Sequence, residues 1–146
     1  MINLFTIGFT KKSAEEFFNL LISNRVERIV DIRINNSSQL SRFAKAEDLQ
    51  YFAKAIGNID YLYRTDFAPT IDLMKKIRKN EMSWEEYEVE YLNFLDMRKI
   101  AKKVNVEEFN NNCFLCSEHT PEKCHRRLLV EYFQKLNNDV KIIHLM

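Results

Sequence analysis

A chain of 146 residues, 46% apolar and 12% aromatic, is long enough to bury a core without disulfides or a structural metal, so one domain is expected. No window of about 18 uncharged apolar residues is present to cross a membrane, and a formal net charge of +1 offers polyanions no global attraction. The opening MINLFTIGFTKK has neither a basic segment ahead of its apolar run nor a small-residue cleavage site, so a cytoplasmic protein with reduced thiols is expected.

The run NLFTIGF reads as a first strand ending at Gly8, a residue that tolerates either backbone hand or admits a close neighbour. Ser13 followed by Glu16 has the pattern of a capping box, and Ala14, Phe17, Phe18, Leu21 and Ile22 share the face of the helix it opens. RIVDIR is a second strand, turning polar at Asp31 and Arg33 and leading into the loop INNSSQLSRF. Leu49, Phe52, Ala53 and Ile56 mark another amphipathic helix, closed near Gly57 and Asn58, and IDYLYRT is a third strand. With only two glycines and two prolines, asparagine must take over part of the turn and cap work.

From Pro69 to Asn112 the pattern is helical throughout. Thr70 caps a short helix, and Ser83 with Glu86 opens a long one whose stripe of Trp84, Tyr87, Tyr91, Phe94 and Leu95 is read as core rather than as a base-stacking surface. CFLC is then a fourth strand, Thr120 caps a helix with Pro121 at its first position, and VKIIHL is a fifth strand. This alternation predicts the α/β class: a single three-layer domain over residues 1–146, with a mostly parallel sheet of about five strands and helices on both faces. The expected strand order is 3-2-1-4-5, with a helical insertion over 70–112 between strands three and four. Ligands of such sheets bind beyond the carboxyl ends of the strands where the order reverses. Gly8, Asp31 with Arg33, and Cys116 with Glu118 all fall at such ends.

The densest chemistry lies in FLCSEHTPEKCHRR, residues 114–127. Cys113, Cys116, Cys124 and His125 offer three thiolates and an imidazole to zinc, but residues three apart on an extended strand face opposite sides roughly 10 Å apart. The same separation disfavours a thioredoxin-like redox pair and leaves Cys113 as a buried core residue. Cys116 leaves the strand with Glu118 two residues on, while Cys124 and His125 open the next helix, where helix amides and Arg126 lower a thiol pKa and stabilise anions. His125 also continues the apolar stripe of Leu128, Leu129, Tyr132, Phe133 and Leu136, and Arg126 could pair with Asp31 or Glu118. A satisfied core-edge histidine and a plain ion pair therefore compete with the chemical reading.

TIGF, then DIR and NSS followed by Phe43, and above all LCSEHTPEKCHRR, resemble the domain-of-unknown-function family DUF488. Its pattern is roughly T-I-G-H-S, then D-x-R-x-x-P-x-S-x-x-x-x-F, then C-x-E-x-x-P-x-x-C-H-R. The resemblance runs over nearly the full chain, and its last motif is the specific one. It implies that Gly8, Asp31, Arg33, Ser38, Phe43, Cys116, Glu118, Cys124, His125 and Arg126 form a shared polar site to which the family name assigns no reaction. Phe9 stands where the family usually has histidine, Thr10 where it has serine and Asn36 where it has proline. TDFAPT follows strand three in place of Leu-Gly-Gly.

The expected function is that of an enzyme, with thiol-dependent transferase or hydrolase chemistry on a small or nucleotide-like anionic substrate. Cys116 or Cys124 would be nucleophile and His125 or Glu118 proton carrier, while Gly8, Asp31, Arg33, Ser38 and Arg126 hold substrate. No cofactor is read from these residues, no metal is assigned, and no membrane partner is expected. One alternative is a nucleic-acid or nucleotide binding module linked to DNA maintenance, with Arg126 and Arg127 on phosphate. Another is a structural network of Asp31, Arg33, Glu118 and Arg126 with no catalysis.

Overall fold

The structure is a computed structural model that describes residues 1–37 and 39–146, with the backbone alone for 39–41. Five strands, β1 (Ile2–Gly8), β2 (Arg28–Asp31), β3 (Asp60–Tyr63), β4 (Asn112–Cys116) and β5 (Val140–Leu145), pair in parallel throughout. Their order is β3-β2-β4-β1-β5, so the α/β class holds while the expected 3-2-1-4-5 is corrected: β4 lies between β1 and β2. The physical reason is burial. All five residues of β4 are buried, as a strand covered on both faces and paired on both edges must be, whereas β3 and β5 carry the exposed positions of edges.

Helices α1 (Ala14–Ser23) and α2 (Ala46–Gly57) cover one face of the sheet. Phe17, Phe18 and Leu49 meet Phe5, Ile7, Cys113 and Leu115 there. Helices α3 (Ile71–Arg78), α4 (Trp84–Met97), α5 (Ile100–Lys103) and α6 (His125–Leu136) lie on the other, where Tyr91, Leu129 and Phe133 pack on Leu4, Val30 and Phe114. Successive strand side chains alternate between faces, so Cys113 and Leu115 go one way and Phe114 the other. Cys113 is fully buried on the α1/α2 face, as expected of a core residue.

Most of the caps form as the sequence predicts. Ser13 accepts from the Glu16 amide and Thr70 from the Leu73 amide, and Ser83 with Glu86 makes a complete capping box. Asn58 closes α2 with a left-handed φ of 53°, and neither glycine has a positive φ, so asparagine does take over that work. The expected helix start at Thr120 is corrected. Residues 117–124 form an irregular loop and α6 opens at His125, with Cys124 as its cap. The carbonyls of Glu118 and His119, which a helix start would leave to nearby amides or water, are held by the Arg126 guanidinium. No helix among the described residues is long and apolar enough to cross a membrane.

Candidate active site

The site is built where β1 and β4 end side by side, with Gly8 opposite Cys116 in the register. The loop leaving β4 turns across β1 at that point. A Cβ on Gly8 would stand 1.6 Å from the Glu118 carbonyl oxygen and 2.7 Å from Arg126 Nη1, so it is close approach that requires glycine here. Thr10 N–H donates to the Ser117 carbonyl at 3.2 Å, tying the loop to the segment after β1. Arg126 is fully buried and donates to the carbonyls of Glu118 and His119 and, through Nε, to Thr6 Oγ1 at 3.3 Å. It pairs with neither Asp31 nor the Glu118 carboxylate. Its guanidinium staples the loop and leaves a buried positive charge beneath it.

His125, first residue of α6, hangs from β2's exit: its Nε2 lies 2.9 Å from the Ile32 carbonyl oxygen. A carbonyl only accepts, so Nε2 carries the proton toward Ile32 and Nδ1 is the ring nitrogen left free to accept; Cys116 Sγ lies against the ring, 3.5 Å from Nδ1 and 3.8 Å from Nε2. The Tyr91 ring stands edge-on to the imidazole at 5.6 Å and fixes its plane. Cys124 completes the group, with its sulfur, Cys116 Sγ and a His125 ring nitrogen all within 4.8 Å of one another and all buried. Three such ligand atoms could hold a metal ion. The fourth ligand of the zinc reading, Cys113, lies on the opposite face of the sheet.

The three thiols are electrostatically unlike. The Cys116 pKa is lowered, first by the neighbouring Cys124 thiol, then by the Ser117 amide, Arg126 and the Glu118 amide, all against the opposing pull of burial. Burial and the neighbouring Cys116 push Cys124 well above the ordinary thiol value, and burial pushes Cys113 up as well.

Asp31 and Arg33, the polar exit of β2, bind each other. Arg33 Nε and Nη2 donate to the two Asp31 oxygens at 2.8 Å each, Nη2 also to the Ala44 carbonyl at 2.7 Å, and Tyr61 Oη to Asp31 Oδ2 at 2.5 Å. Nη1 of this 2% exposed residue has no partner among the described residues. The Phe9 ring, in the position of the family histidine, lies 5.3 Å from the guanidinium carbon and supplies a cation–π face instead of a proton carrier. Phe43 packs on Phe17 at 5.2 Å on the α1 side, and Ser38 lies outside the described residues.

Arg33, Cys116, Glu118, Cys124 and His125 all line one cleft of about 590 Å³. Its other wall comes from α3 and α4. Trp84 and Tyr87, stacked at 4.7 Å and 17° between planes, belong to this wall. Tyr87, Tyr91 and Leu95 are buried as the stripe predicts, but Trp84 is half-buried and opens onto the cleft. Lys75, Arg78 and Lys123 edge it, so the lining carries four cationic side chains, Arg33 included, against the single carboxylate of Glu118. Sequence reasoning assigned Lys75, Arg78 and Trp84 no part in the site, and their only signal is position at the facing ends of two adjacent helices.

An open parallel α/β sheet with a thiol and an imidazole meeting at the carboxyl ends of its strands defines the general class of this protein. A family model described as domain of unknown function DUF488 matches residues 13–133, well over half of the chain, and the protein belongs to that family. Comparison with curated proteins and with solved structures gives no significant match.

Proposed function

We propose that the protein is a thiol-dependent enzyme acting on a small anionic substrate, with Cys116 as its nucleophile. The observation that carries this reading is the contact of Cys116 Sγ with the His125 imidazole, 3.5 Å from Nδ1 and 3.8 Å from Nε2, at the floor of a cleft edged by Lys75, Arg78 and Lys123. His125 takes the Cys116 proton, the thiolate attacks the electrophilic centre, and the imidazolium returns the proton to the departing group. The substrate's negative charge meets the cationic lining of the cleft, Lys75, Arg78, Lys123 and Arg33, the last held in place by Asp31. A second acceptor then removes the group from sulfur, which makes the reaction a transfer or, with water, a hydrolysis. The Trp84 and Tyr87 wall supports a substrate with a planar part, such as a nucleotide-like anion.

The test compares alkylation of Cys116 by iodoacetate, an anion, with alkylation by the neutral iodoacetamide. The reading requires an iodoacetate to iodoacetamide rate ratio above that of the unfolded chain, lowered by salt and by the paired substitutions Lys75→Ala and Arg78→Ala at the exposed rim. A ratio equal to that of the unfolded chain would remove the anionic substrate from the account.

A further inference from the structure

The transfer reaction leaves Cys124 without a chemical task, although its sulfur shares the cleft floor with Cys116 and lies within 4.8 Å of it. The residues are 3% and 5% exposed, and Cys113 is screened by the sheet, so the pair is isolated from the remaining thiol. Cys124 caps α6 without a side-chain cap hydrogen bond, so no backbone amide of the first turn holds its sulfur. Between the two cysteines runs the irregular loop 117–124 rather than a continuous strand or helix. A disulfide requires the sulfurs to approach to about 2.05 Å, and such a loop can yield that distance where regular backbone would not.

We propose that Cys116 and Cys124 form a dithiol redox couple that reduces hydroperoxides by two electrons, Cys124 acting as the resolving thiol. The proposal rests on the reading of Cys116 as the nucleophile. In the first step Cys116 sulfur attacks the terminal oxygen of ROOH: an S–O bond forms, the O–O bond breaks, and the RO⁻ leaving group takes the proton that His125 accepted from the Cys116 thiol. Cys116 is then a sulfenic acid. In the second step Cys124 sulfur attacks Cys116 sulfur: the S–S bond forms, the S–O bond breaks, and hydroxide leaves with the Cys124 proton as water. Two electrons pass from the thiol pair to the peroxide, and an external thiol reductant restores the couple by exchange. Arg126 Nη1, 3.9 Å from Cys124 Sγ, is placed to favour the thiolate that forms there as it attacks.

The experiment treats the reduced protein with hydrogen peroxide and reads each cysteine by mass spectrometry without added reductant. The proposal requires the wild-type chain to lose two hydrogens, a peptide pair linking 116 to 124, an unmodified Cys113, and full reversal by dithiothreitol. Cys124→Ser must stop at an oxygenated Cys116 that dimedone captures, and Cys124→Ala serves equally if the serine variant does not fold. Fast alkylation of Cys116 together with sulfinic acid there and a free Cys124 would overturn the couple while leaving the nucleophile reading intact. Slow alkylation of Cys116 would remove both. Native protein carrying a stoichiometric ion, whose removal by a chelator is needed before either thiol reacts, would replace the couple with a three-ligand metal site.

Discussion

The bond from His125 Nε2 to the Ile32 carbonyl, 2.9 Å long, decides which ring nitrogen carries the proton and leaves Nδ1 free to accept beside Cys116. The other tautomer would leave the Ile32 carbonyl facing a lone pair and put N–H on Nδ1, the nitrogen nearer to the sulfur. His125→Ala is therefore expected to slow iodoacetamide alkylation of Cys116 by about a hundredfold at neutral pH, the low end of what a positioned base supplies. Site-resolved rates on wild type and variant, with Cys113 as internal reference, check this.

Removing the Cys124 thiol takes away the largest influence lowering the Cys116 pKa. Cys124→Ala should shift the pH dependence of Cys116 alkylation upward, toward the ordinary thiol range. The linked stability effect has a definite sign. A folded pKa below the unfolded one means that the thiolate stabilises the fold above the unfolded pKa, and that this contribution is lost as pH falls through the folded pKa. Denaturation midpoints across that range should therefore fall less toward low pH in the variant than in wild type.

Gly8 and Glu118 cannot both keep their places if a methyl group is added between them, because the contact would be 1.6 Å to backbone oxygen. Gly8→Ala is expected to cost about 3 kcal/mol in urea unfolding, the upper end of typical overpacking penalties. It should also disturb Cys116 reactivity, since the loop that supplies two amides to that sulfur has to move.

Asp31 is fully buried, and Arg33 at 2% exposure depends on it for two of its hydrogen bonds. Asp31→Asn leaves the guanidinium charge uncompensated and should destabilise the fold by about 3 to 5 kcal/mol. The loss in thermal or urea midpoint should accompany weaker discrimination in favour of iodoacetate, because Arg33 is no longer held toward the cleft.

Lys12 presents the opposite case, an amine buried with no partner among the described residues. Burial, and then the positive charge of Arg126, lower its pKa. The protonated amine is thus a penalty to the folded state at neutral pH, and the penalty fades as pH rises through the interval between the folded and unfolded values. Lys12→Met should stabilise the protein by about 1 kcal/mol at pH 7, with the gain shrinking in alkaline buffer.

Local signals were legible in the sequence to the extent that they are local. Ser13, Thr70 and Ser83 cap the helices they precede, and Asn58 takes the left-handed end of α2. Strand order was not legible, because β1 and β4 are both apolar runs and only the packed sheet shows that β4 pairs on both edges. The helical periodicity of Ile22 and Ile56 overstated their burial, since each lies at the margin of its helix's apolar face and is exposed. Within 114–127 the structure brings Cys116, Cys124 and His125 together, and the β-strand alternation correctly separated Cys113 from Cys116. Arg126's partners escaped because they are backbone carbonyls, which no side-chain pattern announces. The Trp84, Lys75 and Arg78 wall escaped because it depends on how α3 and α4 face the strand ends.

The most direct test of the central claim is the rate of iodoacetamide alkylation at each of the three cysteines of the native protein as a function of pH. The account predicts that Cys116 reacts first and reaches half its maximal rate below the ordinary thiol range of about 8.5, with Cys113 and Cys124 slow throughout. A Cys116 that reacts no faster than Cys113, or only once the pH exceeds that range, would contradict a thiolate at the floor of the cleft and with it the proposed chemistry.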